Sequence, residues 1–241
     1  MMVVTYVSGF LLAVPTANKD AYRKQAEEAW PMFKGYGAVA MVEGWGDDVP
    51  QGKVNCINSA VKRKPDETAM FSWVVWPDKK TSDEAEQKMM ADMEGKEFPE
   101  MPFDGKRMIV GGFETIVGDA TVKTGYIDGT VIPVPADKRG AYTAASHKMA
   151  ELFQEFGAIS VVDAWGDNLP EGKVNDFHTA TLRKPEEAVV FSWINWKDKA
   201  TRDAGWEKIM EDPRMQEFGP HTVGADMGRM IFGSFVPLVD V

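Results

Sequence analysis

Gly157-Ala158-Ile159, Trp165-Gly166-Asp167, Gly172-Lys173-Val174-Asn175, Phe191-Ser192-Trp193 and Trp196 form a stretch that the chain has already written once. Gly37-Ala38-Val39, Trp45-Gly46-Asp47, Gly52-Lys53-Val54-Asn55, Phe71-Ser72-Trp73 and Trp76 stand 120 residues upstream, without a gap. The offset holds from Tyr6/Tyr126 to Phe98/Phe218 and becomes 122 by Arg107/Arg229. The 241 residues therefore read as one module fused to a copy of itself, with boundaries at 1–118 and 124–241. Gly118–Lys123 is a linker too short to let the modules wander.

Within a module, Tyr6–Val14 (Tyr126–Val134) reads as a strand closed by a proline. Pro133 suits an edge or a strand end. Lys19–Lys34 carries Tyr22, Ala26, Ala29, Trp30 and Phe33 at helical spacing, although Pro31 weakens its interior. Ala38–Trp45 alternates. One face is small (Ala38, Ala40, Val42, Gly44) and suits a closely docked helix; the other sets Glu43 beside Trp45. Val54–Val61 and Thr68–Trp76 read as two further strands, with copies at Val174–Leu182 and Ala188–Trp196. Thr81 and Glu84 fit a capping box for a second helix. Pro213 stands where the first copy has Met93, so the second copy of that helix should end sooner. Arg107–Val117 and Arg229–Val236 are the last strands.

This order predicts an α+β fold: two ferredoxin-like sandwich modules packed as an intramolecular, pseudo-dimeric barrel, with the tryptophan-rich sheet faces covering each other. Five apolar runs per module exceed the four strands of a strict ferredoxin-like unit.

The totals narrow the partners. A formal charge of −10 without a basic stripe speaks against nucleic acid and anionic membranes. One cysteine, Cys56, permits no internal disulfide. There is no spanning apolar run and no leader pattern, so a cytoplasmic protein is expected. A chain that carries its own partner module is expected to be a monomer.

Nothing in the sequence is a specific catalytic signature, and no cofactor or metal is expected. Gly111-Gly112 completes no dinucleotide fingerprint, and Cys56 lacks a nearby base. The catalytic candidates are Glu43, Asp163, His178 and Asp176. Glu43 and Asp163 keep an acid beside Trp45 and Trp165 in both copies. If they face the space between modules, burial raises their pKa values, and paired across a pseudo-twofold they can act as acid and base. The plainer reading has each accept bonds from Arg107, Arg229 or an indole N–H. Asp176 and His178 share one face of a predicted strand and would orient an imidazole, but two ligands make no zinc site. A hydrogen-bonded structural pair is the plainer reading there too. His147 is expected on a helix surface and His221 in a glycine-containing loop. Asn55 and Asn175 follow glycine turns and are expected to bond local backbone.

The stretches Tyr6–Pro15, Gly37–Trp45, Asp48-Val49-Pro50 with Gly52-Lys53-Val54, Phe71-Ser72-Trp73 and Met101–Ile109 resemble a bacterial family of unknown function, the YbaA-like proteins of the dimeric α+β barrel superfamily. Asp212–Met215, Glu217-Phe218-Gly219 and Arg229-Met230-Ile231 carry the resemblance in the second copy, whose loop His221–Gly228 departs from the pattern. The resemblance implies single modules that pair as dimers, here fused in tandem, and a barrel with a cleft. Superfamily relatives include heme-degrading and quinone-forming monooxygenases, chlorite dismutase-like proteins and muconolactone isomerase-like proteins. The family has no assigned reaction to transfer. Two functions are carried forward: a small-molecule-binding barrel, extending to a cofactor-free monooxygenase- or isomerase-like enzyme, and a noncatalytic scaffold. A solid interior favours the scaffold; an open, polar-rimmed pocket favours the binder.

Overall fold

A computed structural model describes residues 5–96 and 100–241. Phe98, the last residue of the ungapped repeat, and residues 1–4 of the first module lie outside the described residues. The first half runs β1 (Tyr6–Pro15), α1 (Lys19–Gly35), β2 (Ala40–Asp48), the single-turn α2 (Ile57–Ala60), β3 (Glu67–Trp76), α3 (Lys79–Met93) and β4 (Ile109–Val117). The second repeats it as β5 (Tyr126–Pro135), α4 (Arg139–Glu155), β6 (Ala158–Asn168), α5 (Phe177–Ala180), β7 (Glu187–Trp196), α6 (Lys199–Glu211), the added α7 (Arg214–Phe218) and β8 (Ile231–Asp240).

The eight strands close one antiparallel barrel in the order β1-β3-β2-β8-β5-β7-β6-β4. Each half contributes four consecutive strands. The halves join edge to edge, β2 on β8 and β4 on β6, so the edges that a lone half would leave open are paired. Pro133 sits in β5 beyond the residues that pair with β8, where its missing N–H costs no ladder bond on that side.

Alternation along the strands sorts the side chains. In Phe71-Ser72-Trp73 and its copy, the aromatics point into the barrel and the serines point out. Phe71 stacks on Phe191 with centroids 4.2 Å apart, and Trp73 on Trp193 at 4.3 Å. Glycines make room for these rings: a Cβ at Gly129 would stand 2.8 Å from Phe71, and one at Gly9 3.2 Å from Phe191. Phe, Trp and aliphatic side chains from both halves fill the interior.

Several sequence expectations change. The small face of β2, Ala40 and Val42, faces the barrel interior rather than a helix. Small residues are needed there because the stacked aromatics fill the centre. Trp45 and Trp165 point outward, beneath the α1 and α4 sides, as do Trp76 and Trp196. Only Trp73 and Trp193 cover one another across the halves. The predicted strand Val54–Val61 is a loop and α2, which restores four strands per half. Cys56 caps α2 with Ser59 in a capping box, and Asp176 caps α5 with Thr179 in the same way. α3 begins two residues before Thr81, and Asp78 is its cap. α6 ends at Glu211, before Pro213, as expected. Pro31 lies within a continuous α1.

Candidate functional site

The two acids sit at equivalent places. Glu43 on β2 lies directly across from Ser72 on β3, and Asp163 on β6 across from Ser192 on β7. Both point out of the barrel, toward α1 and α4, from opposite sides of the closed sheet. They therefore cannot act as an acid–base pair across the pseudo-twofold. Neither accepts from Arg107 or Arg229. Those guanidiniums form buried bidentate pairs with Glu67 and Glu187 and hold both carboxylates below their ordinary range.

Around the acids the halves diverge. Tyr22 donates to Glu43 at 2.7 Å, and the pair is closed. Asp163 is one methylene shorter. It accepts from Ser192 and gains Ser146 as a second hydroxyl neighbour where the first half has Ala26. Among the described residues the Tyr22–Glu43 bond has no Tyr142–Asp163 counterpart. Asp163 is 4% exposed. Burial pushes its carboxyl above the usual range, partly offset by Ser146 and Ser192. Burial, and then the Asp163 charge, push the Tyr142 hydroxyl upward, partly offset by Ser146, which stands between the tyrosine and the acid as a neighbour of both. Glu43 is raised by burial as well, offset by Ser72 and Tyr22.

A cavity of about 420 Å³ opens beside Asp163, between the outer face of the second half's strands and α4, α6 and α7. Its walls are mostly apolar, with Met149, Phe153, Met215 and Phe218 among the larger side chains. Tyr142, Ser146, Asp163 and Ser192 line it, and Asp128, one same-face register row away from Asp163 and Ser192, lines it together with Arg202. The first half has a smaller cavity, about 270 Å³, lined by Ser8, Phe10 and Ser82 but by neither Tyr22 nor Glu43. Phe10 packs on both apolar clusters beneath α1 and α3. Its counterpart in the second half is Thr130, which lines the larger cavity.

Asp176 and His178 are elsewhere. Asp176 is committed to the α5 cap: its carboxylate accepts from the Thr179 N–H at 2.7 Å and the Gly172 N–H at 3.0 Å. Burial opposes its ionisation, but these bonds hold the carboxyl below its ordinary value. The His178 ring lies between Arg183, 2.7 Å from Nδ1, and the Leu169 carbonyl, 3.0 Å from Nε2. Neither residue lines the cavity beside Asp163. His147 lies on α4, and His221 on an exposed turn against the Gln216 carbonyl. Among the described residues no group of three or more His, Cys, Asp or Glu is placed to hold a metal ion.

The profile of a family of proteins of unknown function, DUF1428, matches residues 5–105 and again 125–226. The chain belongs to the DUF1428 family. Over 115 residues it is 54% identical to the uncharacterized protein YbaA of Escherichia coli K12, covering 47% of this chain and 98% of that protein. The same figures hold for YbaA of Shigella flexneri. Among solved structures, an anthrone oxidase-like protein is 14% identical with a TM-score of 0.61, covering all of this chain and 93% of its own. A provisionally assigned monooxygenase of Fusobacterium nucleatum is 12% identical with a TM-score of 0.55, covering all of this chain and 95% of its own. These likenesses concern the fold alone.

The DUF1428 repeat also accounts for residues that sequence reasoning passed over. Asp128 stands where the first half has Ser8. It accepts from both the Trp196 and Trp206 indoles, from Ser234 and from Arg202, at 2.6–3.0 Å. The available signal was the set of positions where the copies disagree: Ser8/Asp128, Ser82/Arg202 and Glu86/Trp206 change together.

Proposed function

We propose that this DUF1428 protein binds a small, mostly apolar molecule in the cavity beside Asp163. In this reading two ferredoxin-like modules, residues 1–118 and 124–241, form a monomeric pseudo-dimeric barrel. The barrel interior is structural, and the binding site lies outside it. The observation that carries the reading is a buried acid opening into a space of about 420 Å³ walled mostly by apolar side chains. A concave apolar site with a few convergent polar groups is the common form of a small-molecule site. A desolvated carboxyl inside it, held above its ordinary value by burial, is the kind of group that transfers protons in an active site. An oxygenase- or isomerase-type turnover is the enzymatic extension, in keeping with the fold of the anthrone oxidase-like neighbour.

The filled interior supports the scaffold reading for the barrel centre, but it leaves the outer cavity without a purpose. Mass spectrometry of natively purified protein tests the proposal. A retained apolar molecule is expected, lost in Thr130→Phe. A chain that carries nothing, with thermal stability indifferent to a library of apolar compounds, favours the scaffold.

A further inference from the structure

We infer that the cavity beside Asp163 takes a monocarboxylic acid with an apolar body, its carboxylate pairing with the Arg202 guanidinium, and that each chain takes one. The inference rests on the binding reading above and adds the ligand's charge and the stoichiometry.

The difference between the halves carries it. In the first half the Trp76 indole donates to the Ser8 hydroxyl at 2.9 Å, so a neutral serine is enough to satisfy that buried N–H. In the second half the matching Trp196 indole meets Asp128 at 3.0 Å. Asp128 is 7% exposed, and a carboxylate so buried needs a compensating charge. Arg202 supplies it, its Nε–H shared between both carboxylate oxygens at 3.0 Å. Trp206 and Ser234 donate to the same carboxylate at 2.7 and 2.6 Å. The first half has Ser82 and Glu86 in place of Arg202 and Trp206. Building in a buried ion pair is a poor route to stability, because desolvation of the two charges offsets their attraction. What the exchange does produce is an oriented guanidinium on the wall of an apolar cavity.

That guanidinium has donors to spare. Its Nε–H goes to Asp128 and its Nη1 to Asp203 at 3.1 Å, while among the described residues Nη2 has no partner. The Trp206 ring steadies it from a second side, 5.9 Å from centroid to guanidinium carbon. Arg202 is also the only cation among the described residues that line the cavity. A carboxylate answers it with one charge and two acceptor oxygens. A phosphate monoester would bring a second charge that no other cation answers. An ammonium would find Asp128 already committed to four donors. Asp163 is the remaining acid on the wall. Burial favours its neutral form, so it opposes an anionic guest less than an exposed carboxylate would.

The first half lacks these means. Its smaller cavity is lined by Asp83 and Glu86, with no cation among the described lining residues. Like charges there disfavour an anion, and one acid per chain is expected despite the pseudo-twofold.

The test titrates 2-naphthoate and decanoate, each against its amide, into the full chain by calorimetry. At least one of the acids should bind one per chain, about tenfold or more tightly than its amide, the worth of a hydrogen bond to a charged group. Asp128→Ser with Arg202→Ser copies the first half, where serine already satisfies the indole. It should bring acid and amide to equal affinity while the amide still binds. Arg202→Gln makes the same comparison should the double variant not fold. Thr130→Phe should abolish binding of every probe. Equal affinity of acid and amide for the wild-type chain, an acid preference that survives the loss of Arg202, or two acids per chain overturns the inference but leaves the cavity reading standing. Failure of every probe to bind the wild-type chain overturns the cavity reading itself.

Discussion

One methylene separates Glu43 from Asp163, and with it the buried acid's partners change from Tyr22 and Ser72 to Ser146 and Ser192. Asp163 is held above its ordinary value of 3.8 by burial. The folded chain therefore keeps a proton that the unfolded chain has released. Stability falls as pH rises from below 3.8 through the raised folded pKa. In Asp163→Asn that fall should be smaller, so the variant melts higher than wild type at neutral pH and level with it at the acid end. Melting temperature across the pH range checks this. Glu67 and Glu187 have the opposite sign. Their arginines hold them below 4.5, so their contribution is complete above that value and is lost as pH falls through the lower folded pKa. Glu67→Gln should cost about 3 kcal/mol at neutral pH, since it strands the buried Arg107, and much less in acid, where the wild-type pair is itself protonated. Urea unfolding at the two pH values measures the difference.

At the scale of elements, the helices, the outer strands and the Phe-Ser-Trp alternation were legible because periodicity reports burial directly. The Val54–Val61 run was not. Its apolar residues, Ile57, Ala60 and Val61, fill the barrel end from a single helical turn, and over eight residues such a turn and a strand look alike. The distinguishing cue was Ser59 three residues after Cys56, and Thr179 three after Asp176, the spacing of a cap. Misplacing that run put His178 and Asp176 on a strand face. It also hid the role of Asn55 and Asn175. Expected to bond local backbone, they instead reach across the halves: Asn55 donates to the Ala180 and Arg229 carbonyls, and Asn175 to those of Ala60 and Arg107, all at 2.8–2.9 Å. Asp176→Ala should cost about 1 kcal/mol, the usual worth of a cap, and leave ligand affinity unchanged. Asn175→Ala removes two buried bonds and should cost about 2 kcal/mol in denaturant unfolding. The acids' residue types were legible from sequence; their outward direction was not, because a two-residue alternation does not say which face meets the other module.

For the whole molecule, sameness and difference between the copies divide the labour. The positions kept identical join the halves. Tyr126 donates to Asp47 and Tyr6 to Asp167, at 2.7 and 3.0 Å, each across the junction. Lys79 adds an ion pair to Asp167, and Phe71/Phe191 and Trp73/Trp193 stack in the shared core. The positions that changed, Phe10/Thr130, Glu43/Asp163 and Ser8/Asp128, line or flank the cavity. A half on its own would expose two unpaired strand edges and a sheet face bearing Phe71 and Trp73, a surface that cannot remain in water. Residues 1–118 expressed alone should therefore self-associate into an eight-stranded dimer, with β2 pairing β4 of the second copy. Residues 124–241 should do the same. Light scattering should report twice the fragment mass for each and a single chain for the intact protein. Mixed and refolded together, the fragments should yield a one-to-one complex that regains whatever the intact cavity binds, because Thr130, Tyr142 and Asp163 all come from the second fragment. A fragment that stays monomeric and fully folded would mean the edge pairing is not what holds the barrel closed.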